Sequence, residues 1–173
     1  QLNAVYLPPE TVANSMQLAA ALEELEGSQV NAVLVDLKDT DGLLLYQSRL
    51  EQVEQAGAQA PDAWDLRELA RTLEEQEIAL IGRMACFQDP IAASRIDGAG
   101  ILYEDSSYLW LDAEEENGGR PWLDPYASPA VDYLTSIAQE AAQMGVHQLV
   151  LSACTYPTAY GREQAVFASE DGG

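Results

Sequence analysis

The sequence predicts an α/β protein of about four strand–helix units whose strands run parallel and side by side. Three observations carry this expectation. Apolar, partly β-branched runs recur at 3–7, 31–36, 78–87 and 147–154. Between them lie stretches whose apolar residues return every three or four positions, the period of a helix with one buried face. The connections between runs are long enough to cross over a sheet, and such crossovers join parallel strands with a right-handed turn.

The first run, Asn3–Leu7, is closed by Pro8 and Pro9. A helix from about Thr11 to Glu26 follows, with Val12, Met16, Ala19, Leu22 and Leu25 on one face and Gly27 as its left-handed stop. Ala32, Val33, Leu34 and Val35 then form a strand expected to be covered on both faces. After Gly42, Leu43–Tyr46 reads as a brief extended piece, 48–56 as a short helix and Gly57–Pro61 as loop. The next helix is expected over 63–76, capped by Asp62, with Trp64, Leu69 and Leu73 buried.

The third strand, Ile78–Phe87, ends at Gln88-Asp89-Pro90, and the proline suits a first helical position. Residues 98–126 leave this rhythm as a hairpin and loop insertion: Ile101–Tyr103 and Tyr108–Leu111 flank a turn, Glu114–Gly119 is an acidic loop tip, and Pro121–Tyr126 is compact and aromatic. A helix from Pro129 to Met144 is expected to start on a Ser128 cap and stop at Gly145, burying Val131, Leu134, Ala138 and Ala141. His147–Cys154 is the fourth strand. Beyond Thr155 come turn chemistry, a short helix and a Gly-rich end that reads as frayed. The whole of 1–173 is read as one domain.

The chain carries 29 acidic and 8 basic residues, a net charge of −21. Such a field repels phosphate backbones and anionic headgroups, so nucleic acid is excluded as a partner. No apolar run reaches the ~18 residues a membrane-spanning helix needs. The chain begins without Met or a signal segment, which suggests a piece processed or cut from a longer protein. Cys86 and Cys154 lack metal-ligand spacing with each other or with His147, so no metal site is expected. Both lie in predicted strands and are expected to be buried free thiols, a disulfide being the alternative. No cofactor is indicated: no Gly-rich phosphate loop follows a strand, the Asp36–Asp41 cluster fails the calcium-loop spacing, and Ser152 lacks a nucleophile-elbow setting.

If the strands are parallel, their carboxyl ends share one rim, where α/β proteins place ligands. Asp36, Lys38 (the only lysine), Asp39 and Asp41 crowd behind the second strand, Arg83 and Asp89 behind the third, and Asp124 follows the hairpin. Two carboxylates across a pocket are the minimum for the usual hydrolysis of a glycosidic bond, one protonating the leaving oxygen and one attacking or activating water. Asp36 and Asp39 are the candidate catalytic carboxylates. Lys38, Arg83, Asp89, Trp122, Asp124 and Tyr126 are candidate substrate contacts, with Trp110, Trp122 and Tyr126 able either to stack on sugar rings or to fill the core beneath the hairpin. Arg83, inside an apolar strand, must be paired; an ion pair to Asp36 and a substrate clamp are both open.

Val35-Asp36-Leu37-Lys38-Asp39-x-Asp41-Gly42, with Tyr46 and Ser48 after it, resembles the putative glycoside hydrolase domain of bacterial extracellular proteins. So do Arg83–Phe87 with Asp89-Pro90, Trp122-Leu-Asp124-Pro125-Tyr126, and Asp132-Tyr133 through Glu140-Ala-Ala to Gly145. The resemblance spans nearly the whole chain in order. It implies a TIM-barrel type fold related to α-amylase-like hydrolases, a carbohydrate substrate and an extracytoplasmic location. Four units make about half of such a barrel. Its open edges then imply either that the other half was removed or that the chain closes differently or with a second copy, as a homodimer. The family's fourth strand usually ends in Phe-Asp-Tyr-x-Arg-Phe-Pro, where this chain has Leu151-Ser152-Ala153-Cys154-Thr155-Tyr156-Pro157. The expected Asp is Ser152 and the expected Arg is Thr155. That change sets hydrolysis against a non-catalytic role in binding glycan or protein at the cell envelope.

Overall fold

The computed structural model describes residues 2–158 and 161–168. Four parallel strands form its centre: β1 (Ala4–Leu7), β2 (Ala32–Lys38), β5 (Ala79–Ala85) and β7 (Gln148–Ser152). They pair in chain order, β1 on β2, β2 on β5 and β5 on β7. The helices α1 (Pro9–Val12), α2 (Ser15–Leu25), α4 (Leu66–Glu75), α5 (Pro90–Arg95) and α6 (Ser128–Gln143) lie between them in sequence. Among the described residues the sheet does not close; it remains an open run of (β/α) units, as a partial barrel would.

Burial alternates along β2, and this decides where a site can be. Val33, Val35 and Leu37, with Leu80 and Met84 of β5, are 0–1% exposed and belong to the core shared with the helices. Gly82 lies on that same face because a Cβ there would overlap Leu37. The opposite face carries Leu34 and Asp36, both half-buried. The strand is therefore covered fully on one face only, against the expectation of two. Its open face is the one a closed barrel would turn inward.

Several boundaries differ from the sequence reading for identifiable reasons. The first helix is two, because Asn14 accepts from Met16 N and Gln17 N, each at 3.1 Å, and restarts the chain as α2. The phase change leaves Met16 82% exposed while Val12 and Leu22 are buried. Residues Leu44–Tyr46 form β3, antiparallel to the end of β2, and α3 spans Glu51–Ala56. The expected loop at 57–61 is instead the start of β4 (Gln59–Trp64), parallel to β3. Pro61 is tolerated there because β4 is an edge strand. Trp64 thus belongs to a strand, and Asp65, accepting from Glu68 N, caps α4 in place of Asp62. Helix α6 starts at Ser128 itself with no side-chain cap, and it buries Tyr133, Leu134, Ile137 and Ala141 while leaving Val131 exposed.

The hairpin exists: Tyr103 N donates to Tyr108 O and Trp110 N to Ile101 O. Its first arm, β6 (Leu102–Tyr103), also pairs antiparallel with β8 (Ala165–Val166). Trp110, Trp122 and Ile101 pack together as a small second core. The expected short helix near the end is a single 3-10 turn, Arg162–Gln164. The end read as frayed, 169–173, lies outside the described residues. Cys86 is buried as expected, but Cys154 is exposed because the chain has already turned out of β7 before it.

Candidate functional site

Sheet register brings Asp36 and Arg83 side by side on the open face of β2 and β5. Arg83 grips the carboxylate with two donors, Nε to Oδ1 at 2.5 Å and Nη2 to Oδ2 at 3.0 Å. Tyr6, from β1, donates its hydroxyl to Oδ2 at 2.6 Å, and the guanidinium carbon lies 5.0 Å from the centre of its ring. Three strands therefore contribute one residue each to a polar plate. Two-pronged pairing of this kind fixes orientation as well as charge. The hydrogen bond to Asp36 holds the Arg83 guanidinium above its ordinary pKa. Burial, then the hydrogen bond to Asp36, does the same to the Tyr6 hydroxyl. The plate is accessible: the Arg83 side chain is 39% exposed and that of Asp36 14%.

Asp39 is turned onto its own loop. Its Oδ1 accepts from Asp41 N at 3.0 Å and Leu43 N at 2.9 Å, closing the turn in which Gly42 takes φ 87°. Burial pushes its carboxyl above the usual range, against the lowering effect of those two amides. Asp41 pairs with Arg120 on the surface.

The bulge between Asp36 and Lys38 sends the lysine inward. Lys38 Nζ sits 2.9 Å from Asp89 Oδ2 and donates to Ala85 O at 2.8 Å, and both charged side chains are 0% exposed. Asp89 Oδ1 also caps α5 through Ala92 N at 2.8 Å. A pair so enclosed cannot reach a substrate while the fold is intact. Asp124 is likewise spent on backbone, accepting from Tyr126 N and Ala168 N. Trp122 donates its indole N–H to Asp112 and Trp110 to Gly161 O, and both rings are at most 9% exposed. Tyr126, by contrast, is 44% exposed. It stacks on Tyr156 with ring centres 6.2 Å apart, their hydroxyls hydrogen-bond, and Phe167 meets both edge-on.

The site candidates thus divide. Asp36 and Arg83 come together on an open face, and Tyr126 lies in an exposed aromatic group. Asp39, Lys38, Asp89, Trp122 and Asp124 are held in turns, caps and core. Ser152, where the sequence resemblance leads to the expectation of Asp, is half-buried and donates to Met84 O at 3.3 Å. Sequence reasoning missed Tyr6 and Tyr156 as partners. The only available signal for Tyr6 was its place one step out of phase with Val5 and Leu7. It also missed Glu140, whose buried carboxylate accepts from Tyr46 OH at 2.8 Å, Ser48 Oγ at 2.7 Å and Arg49 N at 2.7 Å. That triple acceptance fastens α6 to the loop before α3.

The model of a family described as "Putative glycosyl hydrolase domain" matches residues 4–172. A crystal structure of a hypothetical protein from Ruminiclostridium thermocellum superposes with a TM-score of 0.81 at 27% identity, covering 95% of this chain and 81% of that one. A GH31 α-xylosidase from a soil metagenome, solved with xylose, gives a TM-score of 0.60 at 13% identity, with 95% of this chain on 24% of the enzyme. The chitobiase of Flavobacterium johnsoniae gives 0.58 at 12% identity, with 87% on 23%. The chain thus spans about a quarter of the length of these two hydrolases, and the likeness to them is one of fold. No curated protein matches the chain.

Proposed function

Because the chain belongs to the family described as "Putative glycosyl hydrolase domain", we propose that it is a carbohydrate-recognising, hydrolase-like domain that binds sugar but does not cleave it unaided. The observation that carries this reading is the Tyr6–Asp36–Arg83 plate on the open face of the sheet. A sugar offers adjacent hydroxyls that both donate and accept. The plate answers with a carboxylate acceptor and with the guanidinium donors of Arg83 left over after Asp36 takes two. A neutral substrate also suits a chain of charge −21.

Hydrolysis asks for more. One carboxyl must hold a proton and another must be free to attack or to activate water. Among the described candidates, Asp36 is locked by Arg83 and Tyr6, Asp39 by its own turn, and Asp89 by Lys38. Ser152 stands where the missing partner would be. A second reading, hydrolysis by a completed barrel, is supported by the hydrolase folds the chain resembles. In it a carboxylate from a segment closing the sheet would face Asp36.

Two features belong to the same proposal. Among the described residues β7 is an edge strand, with Val150 and Leu151 43% and 57% exposed, and its edge is read as the seam for a second copy of the chain. An extracytoplasmic setting is the family's implied location. None of the described helices is long and apolar enough to cross a membrane.

The test pairs a printed array of neutral oligosaccharides with a chromogenic aryl-glycoside assay. Binding on the array with no release of aryl alcohol supports the reading. Turnover by the purified chain replaces it with the hydrolytic one, and silence in both assays rejects it. Light scattering decides the seam: a dimer supports it, and a monomer at high concentration rejects it.

A further inference from the structure

Strands β5 and β7 stay together past their last regular pair, Ala85 on Ser152. Cys86 N donates to Ser152 O at 2.8 Å and Phe87 N to Ala153 O at 3.2 Å. Successive amides on one strand thus reach successive carbonyls on the other, where a regular parallel ladder would alternate. The irregularity falls where Ala153 adopts φ 50°, a left-handed conformation costly for a residue with a side chain. Without that turn Cys86 and Cys154 would point to opposite faces, since neighbouring residues alternate. With it, the peptide joining Cys86 to Phe87 bonds the peptide joining Ala153 to Cys154, which places the two cysteines next to each other at the strand ends, while each thiol donates to a carbonyl of its own strand, Cys86 Sγ to Met84 O at 4.0 Å and Cys154 Sγ to Ser152 O at 3.5 Å. Cys86 is 4% exposed, Cys154 is open to solvent, and both are free.

We propose that Cys86 and Cys154 are a redox pair that closes a disulfide across the carboxyl ends of β5 and β7. The proposal does not depend on sugar binding. The oxidant is a small disulfide such as oxidised glutathione. The Cys154 thiolate attacks one sulfur of the oxidant and expels a glutathione thiolate, leaving a mixed disulfide on Cys154. Cys86 then loses its proton and attacks the Cys154 sulfur, expelling the second glutathione. In sum, two protein thiols are oxidised and one glutathione disulfide is reduced to two thiols. The order follows from access. Burial pushes the Cys86 thiol up to about 12, so the solvent-exposed Cys154 is the one that meets the oxidant. The product pins β7, with Val150 beside Arg83 in the register, to its neighbour.

The protein, reduced and freed of reductant, is incubated with oxidised glutathione and then examined by thiol titration in urea, intact mass, non-reducing electrophoresis and peptide mapping. The expected result is a fall from two titratable thiols to none, a mass lower by about 2 Da and one Cys86–Cys154 peptide on a chain that migrates as a monomer. The unfolding midpoint should rise, because the cross-link constrains the unfolded chain. Retention of both thiols, a lasting glutathione adduct on Cys154, or cross-linked dimers would each overturn the proposal. Cys154→Ser, a change at an exposed position, guards against misfolding as an explanation. In that variant Cys86 should be silent to thiol reagents in the native protein and reactive in urea. Native reactivity equal to wild type would overturn the assigned order.

Discussion

Replacing Lys38 by Met, which keeps most of the side-chain volume, leaves Asp89 with its charge and no countercharge. Both side chains have no exposed surface, so water cannot take the place of the ammonium 2.9 Å away. The same change strips Ala85 O of its donor. Breaking a buried pair from one side costs about 3–5 kcal/mol. Asp89→Asn attacks the pair from the other side while preserving an oxygen to cap Ala92 N, and should cost about as much. The double variant holds no buried charge. It should therefore be more stable than the sum of the singles predicts by at least about 2 kcal/mol. Urea unfolding of all four proteins measures this through the midpoint, provided the slope is unchanged. Additive losses, or a loss below about 1 kcal/mol for either single variant, would refute the view that Lys38 and Asp89 are one buried structural unit.

Other perturbations follow from the same contacts. Glu140→Gln turns an amide toward at least one of three donors, Tyr46 OH, Ser48 Oγ or Arg49 N, and should lower urea-unfolding stability by about 2–3 kcal/mol; an unchanged midpoint would contradict it. Gly42→Ala meets both φ 87° and an overlap with Asp89 Oδ1, so it should lose about 2 kcal/mol or more, seen as a drop in Tm. Asp39 has a folded pKa raised by burial, so the folded state holds its proton more tightly than the unfolded one. Its contribution to stability thus falls as pH climbs from the unfolded value near 4 through the folded value. Asp39→Asn keeps the Oδ1 acceptor and should gain stability at pH 7, a gain that fades below about pH 4; an equal effect at both pH values would argue against burial as the cause.

The parallel centre of the fold was legible because β1, β2, β5 and β7 carry apolar runs that local chemistry brackets cleanly, with Pro8-Pro9, Gly145 and Asp89-Pro90 as boundaries. Strand β4 was not, since Pro61 and Asp62 oppose strand formation and only its edge position makes room for them. The break at Asn14 was hidden because Val12 and Met16 keep helical spacing across it. At the site, the residue types were readable but their allegiance was not. Asp36 and Asp39 look alike in sequence, and only the sheet register shows that one faces Arg83 while the other folds onto Leu43 N. Lys38 looked like a rim residue because strand parity places it beside Asp36; the bulge that turns it onto Asp89 leaves no local mark. Tyr6, Tyr156 and Glu140 join from 30 to 94 positions away from their partners, a separation no local pattern encodes.

The central claim is that the Tyr6–Asp36–Arg83 plate recognises sugar. Calorimetric titration of the strongest array binder into wild type and into Arg83→Ala, with circular dichroism to verify the fold, tests it most directly. Wild type should bind measurably and the variant should lose at least about tenfold in affinity, worth about 1.4 kcal/mol. Equal affinity in the two proteins, with the fold intact, would contradict it.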